Sequence, residues 1–73
     1  MKVMSNEFLS FFQEILNSET PVKMSMCLKE IPEWDSLSAM AFIALAERRF
    51  NKRLRLSDLK NKKTVEELYG LLS

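Results

Sequence analysis

Residues that turn a chain are almost absent: there is one glycine and there are two prolines in 73 residues. A β-rich fold of this size needs frequent turns, so the scarcity points to helices. The length sets a second limit. It allows one domain, 1–73, with a modest core, and a deep catalytic cleft would compete with that core for the same side chains. A binding or carrying role is therefore expected before an autonomous enzyme. With 47% apolar and 29% charged residues, the chain has the composition of a packed domain and not of a disordered tail.

Period and caps divide the chain into helical segments. The first is expected over about Asn6 to Asn17, with Phe8, Leu9, Phe12, Ile15 and Leu16 as its apolar stripe. Ser5 or Asn6 can cap its start, and Thr20-Pro21 ends any continuation. Residues 18 to 34 then form a long connection in which Val22, Met24, Met26, Leu28, Ile31 and Trp34 stand without a sustained period. A connection of that length is usually functional or pinned to the core.

The second helix is the best defined, from Ser36 to about Phe50, with Asp35 as its N-cap and Asn51 as a left-handed stop. Leu37, Met40, Ile43, Glu47 and Phe50 are expected near one face, with Ala44 and Ala46 beside it; Ser38, Ala41, Leu45 and Arg48 fall towards the other. Leu54 and Leu56 read as anchors and Ser57-Asp58-Leu59 as one short helical turn. A last helix opens with Thr64-Val65-Glu66-Glu67, a capping box in which Thr64 and Glu67 satisfy each other's orphan amides, and its apolar face is Val65, Leu68, Leu71 and Leu72. The expected fold is all-α: a small antiparallel bundle of three main helices plus a short extra helix, with a long loop after the first.

Several function classes fall away. The chain has no histidine, no nucleophile beside a plausible base and no glycine-rich phosphate loop, so no catalytic residue is expected. Cys27 is alone and reads as an inert loop thiol; without histidine, a metal site would have to be all carboxylate, and none is expected. No apolar run approaches the roughly 20 residues that span a bilayer, and the N-terminus does not read as a secretory signal, so a cytoplasmic location without membrane attachment is expected. Eleven basic and ten acidic residues give a net charge of +1. That is short of the basic balance of a nucleic-acid binder, although Arg48, Arg49, Arg53 and Arg55 keep the idea testable by salt titration.

The informative stretch is Glu33-Trp34-Asp35-Ser36-Leu37. By itself, Asp-Ser-Leu is a helix cap with a serine beside it. Its setting gives it weight. It follows a long loop after an amphipathic helix and opens a helix of about four turns ending in Glu47-Arg48-Arg49-Phe50. After that come Leu54, Leu56 and Leu59, then Thr64-Val65-Glu66-Glu67-Leu68. This order resembles the acyl carrier protein family over essentially the whole chain. Trp34-Asp35-Ser36-Leu37 is similar to the family's modification motif, and Phe50 to the aromatic that closes its second helix.

The resemblance implies a free-standing carrier. A phosphopantetheinyl transferase, with Mg²⁺ and coenzyme A, would place 4′-phosphopantetheine on Ser36. The arm's thiol would hold an acyl or aminoacyl group as a thioester for acyl-activating, acyltransferase or ketosynthase-type partners, with the chain itself a non-catalytic monomer. Asp35 would cap the helix, present the serine and help attract Mg²⁺, while Leu37 would anchor the turn in the core. The first turn of a helix, with unpaired amides and a positive dipole end, suits a phosphodiester. A peptidyl or D-alanyl carrier is the alternative within the class, and an unmodified helical interaction module lies outside it.

One departure bears on partners. Common members of the family carry carboxylates along the second helix. Here Ser38, Ala41, Leu45 and Arg48 replace much of that surface, Glu47 is kept, and Arg49, Lys52, Arg53 and Arg55 follow, with Lys60, Lys62 and Lys63 beyond. Charge complementarity steers encounters and rejects wrong partners. Ala41, Leu45, Glu47 and Arg48 are the expected partner-binding residues, and a specialised pathway is expected in place of housekeeping fatty acid synthesis. Met40 and Phe42 are read as core.

Overall fold

The computed structural model describes residues 3–17 and 21–72. Four α-helices form: α1 (Ser5–Leu16), α2 (Ser36–Phe50), α3 (Leu56–Lys60) and α4 (Val65–Leu72). A 3-10 turn at Leu28–Glu30 lies inside the long connection. Among the described residues the sole β feature is an isolated bridge between Cys27 and Thr64. The architecture is the one the sequence predicts: three main helices, one short one and a long loop after the first.

Phenylalanine decides how α1 packs. Phe8, Phe11, Phe12 and Leu16 are buried at i, i+3, i+4 and i+8, while Leu9 and Ile15 are half-buried shoulders. The expected stripe omitted Phe11, which is as buried as its neighbours. The start also differs. Met4, in extended conformation, is the N-cap; neither Ser5 nor Asn6 caps, and the Phe8 N–H donates to the Met4 carbonyl at 3.0 Å. At the other end Asn17 adopts φ 51° and donates its N–H to the Gln13 and Glu14 carbonyls. Asparagine tolerates this left-handed conformation better than most residues, so it ends the helix. Thr20, given that task from sequence, lies outside the described residues.

Against this aromatic face α2 buries Ala39, Phe42 and Ala46. Two alanines on either side of one large ring let α1 come close, and Phe42 meets Phe11 at 5.4 Å and Phe12 at 6.0 Å between ring centroids. This corrects the expected core face. Ile43 and Phe50 are half-buried, but Leu37, Met40 and Glu47 point to solvent, with Leu37 81% exposed. Phe42 is core as read; Met40 is not. The helix ends at Asn51, φ 55°, as expected.

The long connection is held by backbone. Leu28 N–H donates to the Lys63 carbonyl at 2.8 Å, and the N–H groups of Val65 and Glu66 donate to the carbonyls of Met26 and Met24 at 3.1 and 3.0 Å. The loop thus satisfies two of the amides left unpaired at the start of α4. The capping box serves the same end: Glu67 N–H donates to Thr64 Oγ1, and Thr64 N–H to Glu67 Oε1, both at 3.2 Å. The Val22, Leu28 and Ile31 side chains sink into the core. At the far side the Tyr69 hydroxyl donates to the Val3 carbonyl at 2.6 Å. No described helix is long and apolar enough to cross a membrane.

Two stability changes follow. Phe42→Ala should cost about 3–5 kcal/mol, since it empties the space that α1 packs into; denaturant unfolding will measure it. Gly70 is helical and exposed, with nothing within 4 Å of an added Cβ. Gly70→Ala should therefore stabilise by about 0.5–1 kcal/mol in the same assay.

Candidate functional site

The chain enters α2 through a tight turn. Trp34 N–H donates to the Ile31 carbonyl at 3.1 Å, so Pro32 and Glu33 form an exposed tip. Ile31 on one side of that tip is buried, and the Trp34 ring on the other lies 5.3 Å from Phe12 and 5.9 Å from Phe42. These contacts fix where α2 begins. Asp35 then caps it in extended conformation, its Oδ1 accepting the Ser38 N–H at 3.0 Å.

Ser38 also donates its hydroxyl to the Glu33 carbonyl at 2.5 Å and to Asp35 Oδ1 at 3.2 Å. The two serines of this turn therefore differ. Ser38 is tied down on both sides, whereas the Ser36 hydroxyl, exposed on the first helical residue, has no hydrogen-bond partner among the described residues. Sequence reasoning gave Ser38 no part here. Its signal was the spacing: a serine three residues after an N-cap carboxylate is where the cap's hydrogen bond lands.

The Ser38 N–H is the main reason the Asp35 carboxyl sits below the usual carboxylate range; desolvation opposes it, and the Ser38 hydroxyl and Leu37 N–H add to it. Hydrogen bonds to the charged form favour it. Glu67 is lowered likewise, first by the Lys63 N–H and then by that of Thr64.

Beside Ser36 a groove of about 220 Å³ runs between α2 and α3, lined by Trp34, Asp35, Ser36, Ala39, Leu56, Leu59 and Lys60. Its walls are mainly apolar, with Asp35 and Lys60 as its charged members. A larger, more open hollow lies at the other end of α2, between Phe11, Arg49 and Phe50. Arg49 is bound there to Glu14 at 2.9 Å, and none of the residues that line this hollow also lines the groove beside Ser36.

The other residues singled out from sequence fall in different places. Leu37 does not anchor the turn: it stands on the side of α2 opposite Ala39, Phe42 and Ala46, so it projects into solvent. Ala41 and Leu45 are half-buried, Leu45 packing against the core. Glu47 and Arg48 are exposed, and Glu47 faces Arg53 at 3.7 Å.

A helix-start serine with a free hydroxyl, beside an apolar groove in an all-α bundle, defines a class, and comparison with known proteins agrees. The family model for the phosphopantetheine attachment site matches residues 34–72, more than half of the chain. The chain belongs to that family of 4′-phosphopantetheine-bearing carrier proteins. Among solved structures it is similar to one from Mycobacterium tuberculosis described as "a putative acyl carrier protein", with 25% sequence identity, a TM-score of 0.77, and coverage of 93% of this chain and 92% of that one. No match was found among curated proteins. The chain is thus a phosphopantetheine-binding carrier of the acyl carrier protein type.

The residues at the start of α2 fit such a group. A phosphodiester is favoured at the positive end of a helix, the Ser36 hydroxyl is uncommitted, and the groove offers apolar wall along Leu56 and Leu59.

Because the Asp35 pKa is depressed in the folded state, its contribution to stability is present above the unfolded value and is lost as pH falls through the folded one. Asp35→Ala should therefore lower the melting temperature at neutral pH. The difference from the parent should narrow in acid, where the parent's cap is protonated as well. Thermal unfolding followed by circular dichroism across a pH series checks this.

Proposed function

We propose that Ser36 accepts the 4′-phosphopantetheine arm, and that residues 1–73 act as one monomeric, cytoplasmic carrier domain. The observation that carries this is the division of labour between the two serines: Ser38 is bonded to Glu33 and Asp35, and Ser36 is exposed and free at the first turn of α2. In the transfer, the Ser36 Oγ attacks a phosphate of coenzyme A. The new bond is a phosphodiester, the adenine-nucleotide portion leaves, and the hydroxyl proton passes to the transferase. Asp35 holds the first turn in shape and leaves a carboxylate face towards the Mg²⁺ the transferase brings. The arm supplies a thiol on which an acyl or aminoacyl group is held as a thioester. The chain's own part is to present the serine and to be recognised; catalysis belongs to its partners.

The cargo is delivered in a specialised pathway. Support comes from α2, where Ser38, Ala41, Leu45 and Arg48 stand in place of the carboxylates that partners of a strongly acidic carrier would meet. A ketosynthase of housekeeping fatty acid synthesis should turn over the acylated chain poorly; efficient turnover would overturn this part.

Attachment is tested by intact-protein mass after incubation with coenzyme A, Mg²⁺ and a broad-specificity phosphopantetheinyl transferase. The parent should gain one phosphopantetheine, Ser36→Ala should gain none, and Ser38→Ala should still gain one. No gain in a folded parent, or a gain that survives Ser36→Ala, overturns the assignment.

A further inference from the structure

The groove beside Ser36 has two charged residues in its lining, and they stand on opposite walls: Asp35 at the start of α2 and Lys60 at the end of α3. The two differ in what already holds them. Asp35 Oδ1 accepts the Ser38 N–H at 3.0 Å and the Ser38 hydroxyl at 3.2 Å. Lys60 is exposed, and its ammonium has no hydrogen-bond or ion-pair partner among the described residues. Asp35, on the same groove, is not at ion-pair distance from it. The carboxylate on Lys60's own helix, Asp58, accepts the Arg55 N–H at 2.9 Å. Arg49 and Arg53, by contrast, are committed to Glu14 and Glu47.

The turn that leads into α2 is acidic. Glu33 and Asp35 are both exposed, and a phosphodiester on Ser36 would add another negative charge directly beside them. Like charges at such short range repel, and an opposite charge on the facing wall offsets that cost. Lys60 is the one cation in the lining of this groove. An ammonium on a flexible four-carbon stem is a compact point charge with three donors, so it can follow a phosphate without a fixed fork geometry. Leu56 and Leu59 give the same short helix an apolar wall next to that charge.

On the reading that Ser36 carries the arm, we propose that Lys60 is the counter-ion of the arm's phosphodiester, and that this pairing turns the arm across the groove towards α3. An anion tethered at Ser36 has two possible sources, the phosphodiester itself or a carboxylate at the far end of a cargo. The phosphodiester is the better match. It is fixed to the serine that shares the groove with Lys60, whereas a cargo carboxylate stands beyond the whole length of the arm. Lys60 is then a positioning residue. It does not touch the reacting thiol; it sets the direction in which the arm leaves α2. Lys62 and Lys63, just beyond it in sequence, do not line the groove and take no such part.

The test is a thermodynamic cycle on the full chain. Parent, Lys60→Ala, Lys60→Arg and Lys63→Ala are each melted before and after the arm is attached, with intact mass confirming attachment. Exposed ion pairs are modest, so the change in melting temperature on attachment should be about 2–4 °C more favourable in the parent than in Lys60→Ala at low salt. The difference should vanish in about 1 M salt, which screens the pair. Lys60→Arg and Lys63→Ala should behave as the parent does. A merely structural role for Lys60 would move both forms alike and leave the cycle at zero. In NMR spectra of the isotope-labelled parent, attachment should shift the amides of Leu56, Leu59 and Lys60 along with those next to Ser36, and Lys60→Ala should shrink the shifts on α3. The cycle should be the same with a free thiol, an acetyl or a malonyl group on the arm. An effect seen with malonyl alone assigns Lys60 to the cargo and overturns the proposal, as does a cycle at zero or a set of parent shifts confined to α2. A folded parent that takes no arm overturns the carrier reading and this inference with it; a parent that takes the arm and shows a zero cycle overturns the counter-ion alone.

Discussion

All seven aromatic side chains of this protein belong to one connected cluster, and the rest of the structure is arranged around it. Phe8 stacks on Phe12 at 5.7 Å, Phe12 meets Phe42 and Trp34, Phe11 meets Phe50 at 5.0 Å, and Tyr69 closes on Phe8 at 5.3 Å. One cluster thereby joins α1, the middle and the C-terminal end of α2, the end of the long loop and α4. A chain this short buries a limited fraction of its surface, and large rings are an efficient way to fill a small core. The cluster also explains why α2 contributes alanines on either side of Phe42: the space beside the ring is already taken. No polar side chain is buried among the described residues. Cohesion is apolar, while hydrogen bonds define helix ends and connections.

That separation accounts for the site. Trp34 belongs to the cluster, and two residues later the chain is exposed at Ser36. The change from core to solvent takes place across one cap residue, Asp35, whose Oδ1 is held by Ser38. The serine beside it is held in position by groups that do not touch its hydroxyl. Rigid placement of a free nucleophile is what an enzyme approaching from outside needs, and the proposed role for Ser36 draws on it.

The helix order, the Asp35 cap, the Asn51 stop and the Thr64–Glu67 box were legible because each depends on a few adjacent residues. The all-α class was legible because glycine and proline are scarce. What sequence reasoning misplaced were faces. Phe11 was left out of the core of α1, and Leu37 and Met40 were drawn into that of α2, because periodicity locates a stripe without saying which of two apolar stripes faces inward. On α2 the inward one is the less hydrophobic, Ala39–Phe42–Ala46, and that choice is imposed by the bulk of α1. The loop's backbone pairing with the start of α4 had no local signal, since Met24 and Met26 are some 40 residues from the amides they satisfy. The tie between Ser38 and Asp35 has a local signal, a serine three residues after the cap carboxylate.

The groove beside Ser36 has walls of unequal strength. One is α2, four turns long and bound into the aromatic cluster. The other is α3, with five residues, too short to be stable as an isolated helix. It is held by its Asp58 cap on the Arg55 N–H and by Leu56 and Leu59 against the core. Local opening costs least where few contacts must break. The width of the groove is therefore set by the shortest α-helix among the described residues. Widening it means displacing two leucines while every phenylalanine stays in place. A groove built this way has one wall that can yield at small energetic cost, while the aromatic core holds the start of α2 and its serine in place.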